Sequence, residues 1–445
     1  MWREERQHMT PDLTASRIVA ALASGELSTD EVLAASLERI ETAGRAVNAF
    51  ISVHKGPPSD APGPLRGVPV AVKDNIAVAG ALMTAGSRIL ADHRPEADAV
   101  AVRRLRNAGA VIVGSTNMHE FAWGGTSENP HYGPVRNLWD HGRMAGGSSG
   151  GAAVAVATGC VPLAVGTDTA GSVRFPAALT GVVGLRPTAG SIPTDGTFPL
   201  AATLDTVGPL SRTVEDNARL FAVLTETAFE PVTDEVSGLR VGAPDDLVAQ
   251  AQPDVARAVG AALDALVAAG ARHCPVRLPD ADLAAAAAAT ITLAEAAAVH
   301  ERWLAERPGD YGADVRELLC RGMRVPAVEY LGALRERDRV RREALDAFEA
   351  VDAVLTPMLP FTAPPLGSDE VTLAGGVRRD RSQVMMRYSA LASVAGLPAL
   401  SVPCGLDRQG LPIAVQLVAR PGGEPVLYRL GARVERTVDL GRCPL

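Results

Sequence analysis

Of the 43 basic residues in this 445-residue chain only two are lysines, Lys55 and Lys73. Arginine therefore supplies nearly every generic positive charge, and a lysine retained against that bias is a candidate for a task that requires losing a proton. Cysteine is also scarce. The five cysteines (Cys160, Cys274, Cys320, Cys404 and Cys443) are odd in number and scattered, with no Cys-x-x-Cys pair. Neither a disulfide framework nor a cysteine-based zinc site is indicated. The net charge of −8 lacks the basic excess that binding to nucleic acid or an anionic membrane requires. No uninterrupted apolar run has the length of a bilayer span, and the charged first residues lack the apolar core of a signal peptide. The expected location is the cytoplasm.

What remains is the composition of a packed globular protein, 47% hydrophobic and 21% charged. Thr10-Pro11 predicts one helix start, and Ser28-Thr29-Asp30-Glu31 a second with a capping box, stapled by Leu27 and Val32. Between 68 and 113 the pattern runs strand, helix, strand: Val68–Val72, then a helix from Ala99 to Ala108 capped by Asp98, then Ala110–Val113. Apolar strands are also expected at Pro162–Val165, Ala399–Val402 and Ile413–Val418. Residues 214–350 read as mostly helical, and Thr362–Asp380 as a mobile loop. Alternation of this kind predicts an α/β fold: one large domain with a mixed, twisted central sheet covered by helices on both faces.

Two glycine-rich segments carry the chemistry. Gly146-Gly147-Ser148-Ser149-Gly150-Gly151 precedes a run of small helix-compatible residues, but no lysine follows to make it a phosphate loop. A Gly-x-Ser-x-Gly elbow occurs at 146–150 without the apolar strand that should lead into it. The second segment, Gly166-Thr167-Asp168-Thr169-Ala170-Gly171-Ser172, follows an apolar strand and can expose a serine hydroxyl among inward-pointing amides, as an oxyanion hole requires. The eight histidines form no constellation.

Together with Val72-Lys73-Asp74-Asn75, these segments resemble the amidase signature family. Further similarity lies in Gly181–Thr188, Leu204–Pro209 and Ala395–Ala399, and the resemblance is weakest from about 225 to 385. It implies a catalytic core at about 60–215 and 390–420, with a more variable, substrate-selecting region at about 216–385. By position, Ser172 matches the nucleophile, Ser148 the bridging serine and Lys73 the base. The backbone N–H groups of Thr169, Ala170, Gly171 and Ser172 match the oxyanion hole. Met118, Gly147, Ser149 and Arg174 are candidate substrate contacts, although an ion pair beneath the turn fits Arg174 better. Asp168 reads as a turn-former, and His119 and His131 as structural or substrate-facing. Ala170 stands where most members have glycine, which would cost on the order of 1 kcal/mol if the position needs positive φ.

The resemblance implies amide hydrolysis through a serine acyl-enzyme, with no metal and no cofactor. Alternatives are a glutaminase-type A subunit of a tRNA-dependent amidotransferase, an amide-forming acyltransferase and a non-catalytic scaffold. The expected partner is a small-molecule amide, with no nucleic acid and no membrane. A homodimer is open, and partner subunits are expected only under the amidotransferase alternative.

Overall fold

The computed structural model describes residues 14–54, 61–438 and 440. Thr10-Pro11, Lys55 and Cys443 lie outside them. The central sheet has eleven strands: β1 Phe50–Val53, β2 Pro69–Lys73, β3 Val111–Thr116, β4 Leu163–Asp168, β5 Val183–Arg186, β6 Thr206–Ser211, β7 Arg240–Gly242, β8 Arg272–Cys274, β9 Ala353–Pro357, β10 Ala399–Leu406 and β11 Pro412–Val418. Their spatial order is β1-β3-β2-β4-β6-β5-β10-β11-β9-β7-β8. Parallel pairs (β2 with β3 and β4) adjoin antiparallel ones (β4 with β6, β10 with β11), so the sheet is mixed.

Helices cover both faces, because the strand residues alternate in what they touch. In β2, Val70 and Val72 join one apolar cluster with Ile18, Val102 and Leu220, whereas Ala71 joins another with Leu33, Ala152 and Ala177. Side chains two apart point the same way in a strand, so burial on both faces requires an apolar residue at every position. β2 and β4 are fully buried, and both read as near-continuous apolar runs.

The early helices are α1 Ala15–Ser24 and α2 Thr29–Arg39. The capping box forms as expected, with Ser28 and Glu31 each bonded to the other's backbone amide. The helix Val100–Asn107 forms too, but Asp98 is not its cap. That carboxylate accepts from the amide of Ala79 and pairs with Arg106. The region 214–350 is not helical throughout, since β7 and β8 extend the sheet edge from within it. The expected loop at 362–380 contains a hairpin instead, with Glu370–Thr372 paired to Arg378–Asp380.

The helix Ala281–Glu306 is long and apolar enough, by length and composition, to cross a bilayer, contrary to the expectation from uninterrupted runs. Its apolar character comes from alanine. Ala284, Ala288 and Ile291 pack against Ala333, Val340, Ala390 and Val394 of neighbouring helices, so that face is taken up inside the protein.

Candidate active site

β2 and β4 are parallel and adjacent, with Val72 opposite Val165, so their C-terminal ends emerge together. Lys73 closes β2 and Asp168 closes β4. Ligand sites in such sheets form at this edge, where the chain leaves the strands. Lys73 is fully buried, and Nζ lies 2.7 Å from Ser148 Oγ and 2.8 Å from Thr167 Oγ1. Its hydrogen-bond partners among the described residues are hydroxyls and the Thr167 carbonyl, with no carboxylate. Burial lowers its pKa to about 7, against smaller opposing effects from Asp205 and Asp168. A neutral amine at ordinary pH can accept a proton, which a paired ammonium cannot.

Ser148 follows a cis peptide bond from Gly147 and is fully buried. The next residue ties the two glycine-rich segments together: the Ser149 amide donates to the Ser172 carbonyl at 3.1 Å. Ser172 is 8% exposed and lies on the wall of a cavity of about 660 Å³. That cavity is also lined by Trp123, Ala170, Phe175, Ala289 and Met386. A larger recess, about 1130 Å³, lies beside Asp254, Arg378 and Arg408, and neither the serines nor Lys73 line it.

Asp168 is the hub beneath the turn. Its carboxylate accepts from Arg174 at 2.9 and 3.0 Å, from Arg186 at 3.2 Å, and from the amides of Gly171 and Val173. Burial alone would raise its pKa, but the two guanidiniums and the Gly171 amide hold it well below the usual carboxylate range. One of the four amides expected to form the oxyanion hole, that of Gly171, is therefore already committed to Asp168. The amides of Thr169, Ala170 and Ser172 make no hydrogen bond to the described residues. Gly171 itself sits at φ 121°, and a Cβ there would meet the Phe175 ring at 2.4 Å. Ala170 does not have positive φ, so the alanine carries no left-handed strain.

The four candidate substrate contacts are not on the cavity wall. Met118 is fully buried in a core cluster with Ala85, Ile89 and Phe121. Gly147 is packed so closely that a Cβ would meet the Ser127 amide at 2.6 Å. Ser149 spends its hydroxyl on the Thr167 carbonyl. Arg174 is fully buried and bonded to Asp168, Gln416, Ser393 and the Ser389 carbonyl, so it serves as an internal ion pair. His119 bonds to Asp314 and Thr126, and His131 to Glu120, none of them at the cavity.

Thr167 belongs to the site although the sequence motifs do not single it out. Its hydroxyl also accepts from Asn75 Nδ2 at 3.2 Å, so it is fixed in place as a second hydroxyl partner of Lys73. A signal for it does exist, since Thr167 is the one polar residue within the strand before Asp168.

A profile of the family described as Amidase matches residues 28–427. The chain belongs to the amidase family. It is 38% identical to the A subunit of the glutamyl-tRNA(Gln) amidotransferase of Symbiobacterium thermophilum, with 94% of this chain and 95% of that protein covered. The corresponding protein of Myxococcus xanthus is 36% identical, with 97% and 98% covered. The first of these matches extends over 474 positions, more than this chain's 445 residues, so that relative has segments this chain lacks. A crystal structure described only as an amidase superposes with a TM-score of 0.89 at 34% identity, covering 96% of this chain and all of the other. The A subunit of the Thermotoga maritima glutamyl-tRNA(Gln) amidotransferase superposes at 0.83 with 33% identity and 98% of both chains covered.

Proposed function

We propose that this family member hydrolyses the C–N bond of a carboxamide through an acyl-enzyme on Ser172. The observation that carries the proposal is the buried, carboxylate-free contact of Lys73 Nζ with Ser148 Oγ. A serine hydroxyl is a weak nucleophile and needs a base. In the proposed reaction Ser172 Oγ attacks the amide carbon while its proton passes to Ser148, whose own proton passes to Lys73. The carbonyl oxygen becomes an oxyanion facing the amides of Thr169, Ala170 and Ser172. The protons then return along the same path to the nitrogen, the C–N bond breaks, and ammonia or an amine departs. Water repeats the attack on the ester and frees the acid.

A second reading makes the chain the glutaminase-type A subunit of a tRNA-dependent amidotransferase, with partner subunits receiving the ammonia. The names of the curated relatives favour it more directly than they favour a free-standing amidase. The free-standing reading draws on the superposition at 0.89 with a protein described as an amidase. Both readings use the same residues and both accord with a cytoplasmic protein.

Phenylmethanesulfonyl fluoride tests the shared chemistry. It should label one site, Ser172, as located by peptide mass, and Ser172→Ala should abolish labelling without loss of the folded state. Undiminished labelling of that variant would remove Ser172 as the nucleophile.

A further inference from the structure

The wall of the Ser172 cavity has an open rim and a buried floor. Its charged side chains, Asp282, Arg321 and Asp380, are all exposed and belong to the rim, as do Ala286, Ala289, Ser382 and Gln383. Asp282 is paired with Arg387, and Asp380 caps a helix by accepting from the Gln383 amide. The buried part of the wall contains no charged side chain. Among the described residues the one fully buried side-chain nitrogen or oxygen on the wall without a hydrogen-bond partner is Thr292 Oγ1, which is neutral.

The space exists because of one helix face. Ala285, Ala289 and Leu293 recur at four-residue intervals along Ala281–Glu306, with Ala286 three before Ala289, and all four line the cavity. Residues so spaced share a face of a helix. Three of these four side chains are single methyls, and Leu318 and Met386 complete the wall from neighbouring helices. At about 660 Å³ the cavity falls within the range that encloses a small organic ligand.

From this we infer that the site selects amides with an uncharged, apolar acyl chain, which lies against the alanine face, over glutamine and other amino-acid amides. The inference rests on the acyl-enzyme reading and adds the substrate class. Glutamine carries both its charges on or next to an atom three carbon–carbon bonds from the reacting carbonyl. Bound for reaction at the buried Ser172, it would place a zwitterion against the half-buried Ala285 and Leu293, and taking unpaired charge out of water there is costly. An alkyl chain in the same place gains from every methylene it removes from water.

The experiment measures ammonia release from straight-chain primary amides, acetamide to octanamide, and from L-glutamine, with sulfonyl fluoride labelling of Ser172 in parallel. kcat/KM should rise about two- to fourfold per methylene up to hexanamide, the upper figure following from about 0.8 kcal/mol per buried CH₂. Glutamine should fall below every amide longer than acetamide. Ala289→Leu, which narrows the cavity, should lower the ratio of kcat/KM for octanamide to that for acetamide at least tenfold. Labelled enzyme that prefers glutamine, or shows no dependence on chain length, would overturn this inference and leave the acyl-enzyme standing. Enzyme that is neither labelled nor active would overturn both.

Discussion

Lys73 shows how one residue links stability to function. The unfolded chain binds a proton there up to pH 10.5, whereas the folded protein releases it near 7 because burial disfavours the charged form. Between those values the unfolded state binds more protons, so this group's destabilising effect diminishes as pH rises from about 7 to 10.5. Lys73→Met removes the buried amine and keeps an apolar side chain of similar length. It should raise the melting temperature at pH 7 while abolishing activity, as scanning calorimetry and an amide assay on the same preparation would show. A clear fall in melting temperature would mean that the amine stabilises the fold, contrary to this account. The residue is legible in the sequence alone, because a scarce lysine at the end of an apolar strand stands out against 41 arginines. Its partner Thr167 gives a weaker signal, a lone polar side chain before Asp168 in an apolar strand, without the contrast of a scarce residue type.

At the scale of elements, Asp168 joins β4, the turn bearing Ser172, Arg186 of β5 and, through Arg174, the helix Arg381–Ala395. Asp168→Asn keeps an acceptor for the Gly171 amide but leaves two buried guanidiniums without a counter-charge. Breaking a buried pair by removing one partner costs about 3–5 kcal/mol. Equilibrium urea unfolding should show a loss of that size; a loss under about 1 kcal/mol would remove Asp168 from the role of hub. Elements with strong local signals are readable from sequence, as at the Ser28–Glu31 capping box and the apolar β2. The three-residue strands β7 and β8 are not, because three residues are too few to establish a period of two. The 370–380 hairpin reads as loop because its second strand, Arg378–Asp380, is entirely charged and exposed. Asp98 reads as a cap from its position before a helix, but its carboxylate finds the Ala79 amide across the fold, a contact that local spacing cannot reveal.

Across the whole molecule, the α/β class, the mixed sheet and the meeting of Lys73 with the Ser148 loop follow from motifs far apart in the chain. The substrate wall does not emerge from the same motifs. It is built by Ala285, Ala289, Leu318 and Met386, from three helices in the region where the resemblance is weakest, and alanine spacing alone cannot separate a packed face from a lining face. Met118 and Arg174, which lie near the motifs in sequence, are core residues. The measurement that tests the central claim most directly is the pH dependence of Ser172 acylation by an activated ester, followed by intact mass, in the wild type and Lys73→Arg. A neutral lysine base predicts a wild-type rate that rises with pH through about 7 and then levels off. It also predicts a loss of at least a hundredfold in the arginine variant, whose guanidinium keeps its proton. An arginine variant within about tenfold of wild type (roughly 1.4 kcal/mol in barrier), with the same rise through 7, would contradict the account.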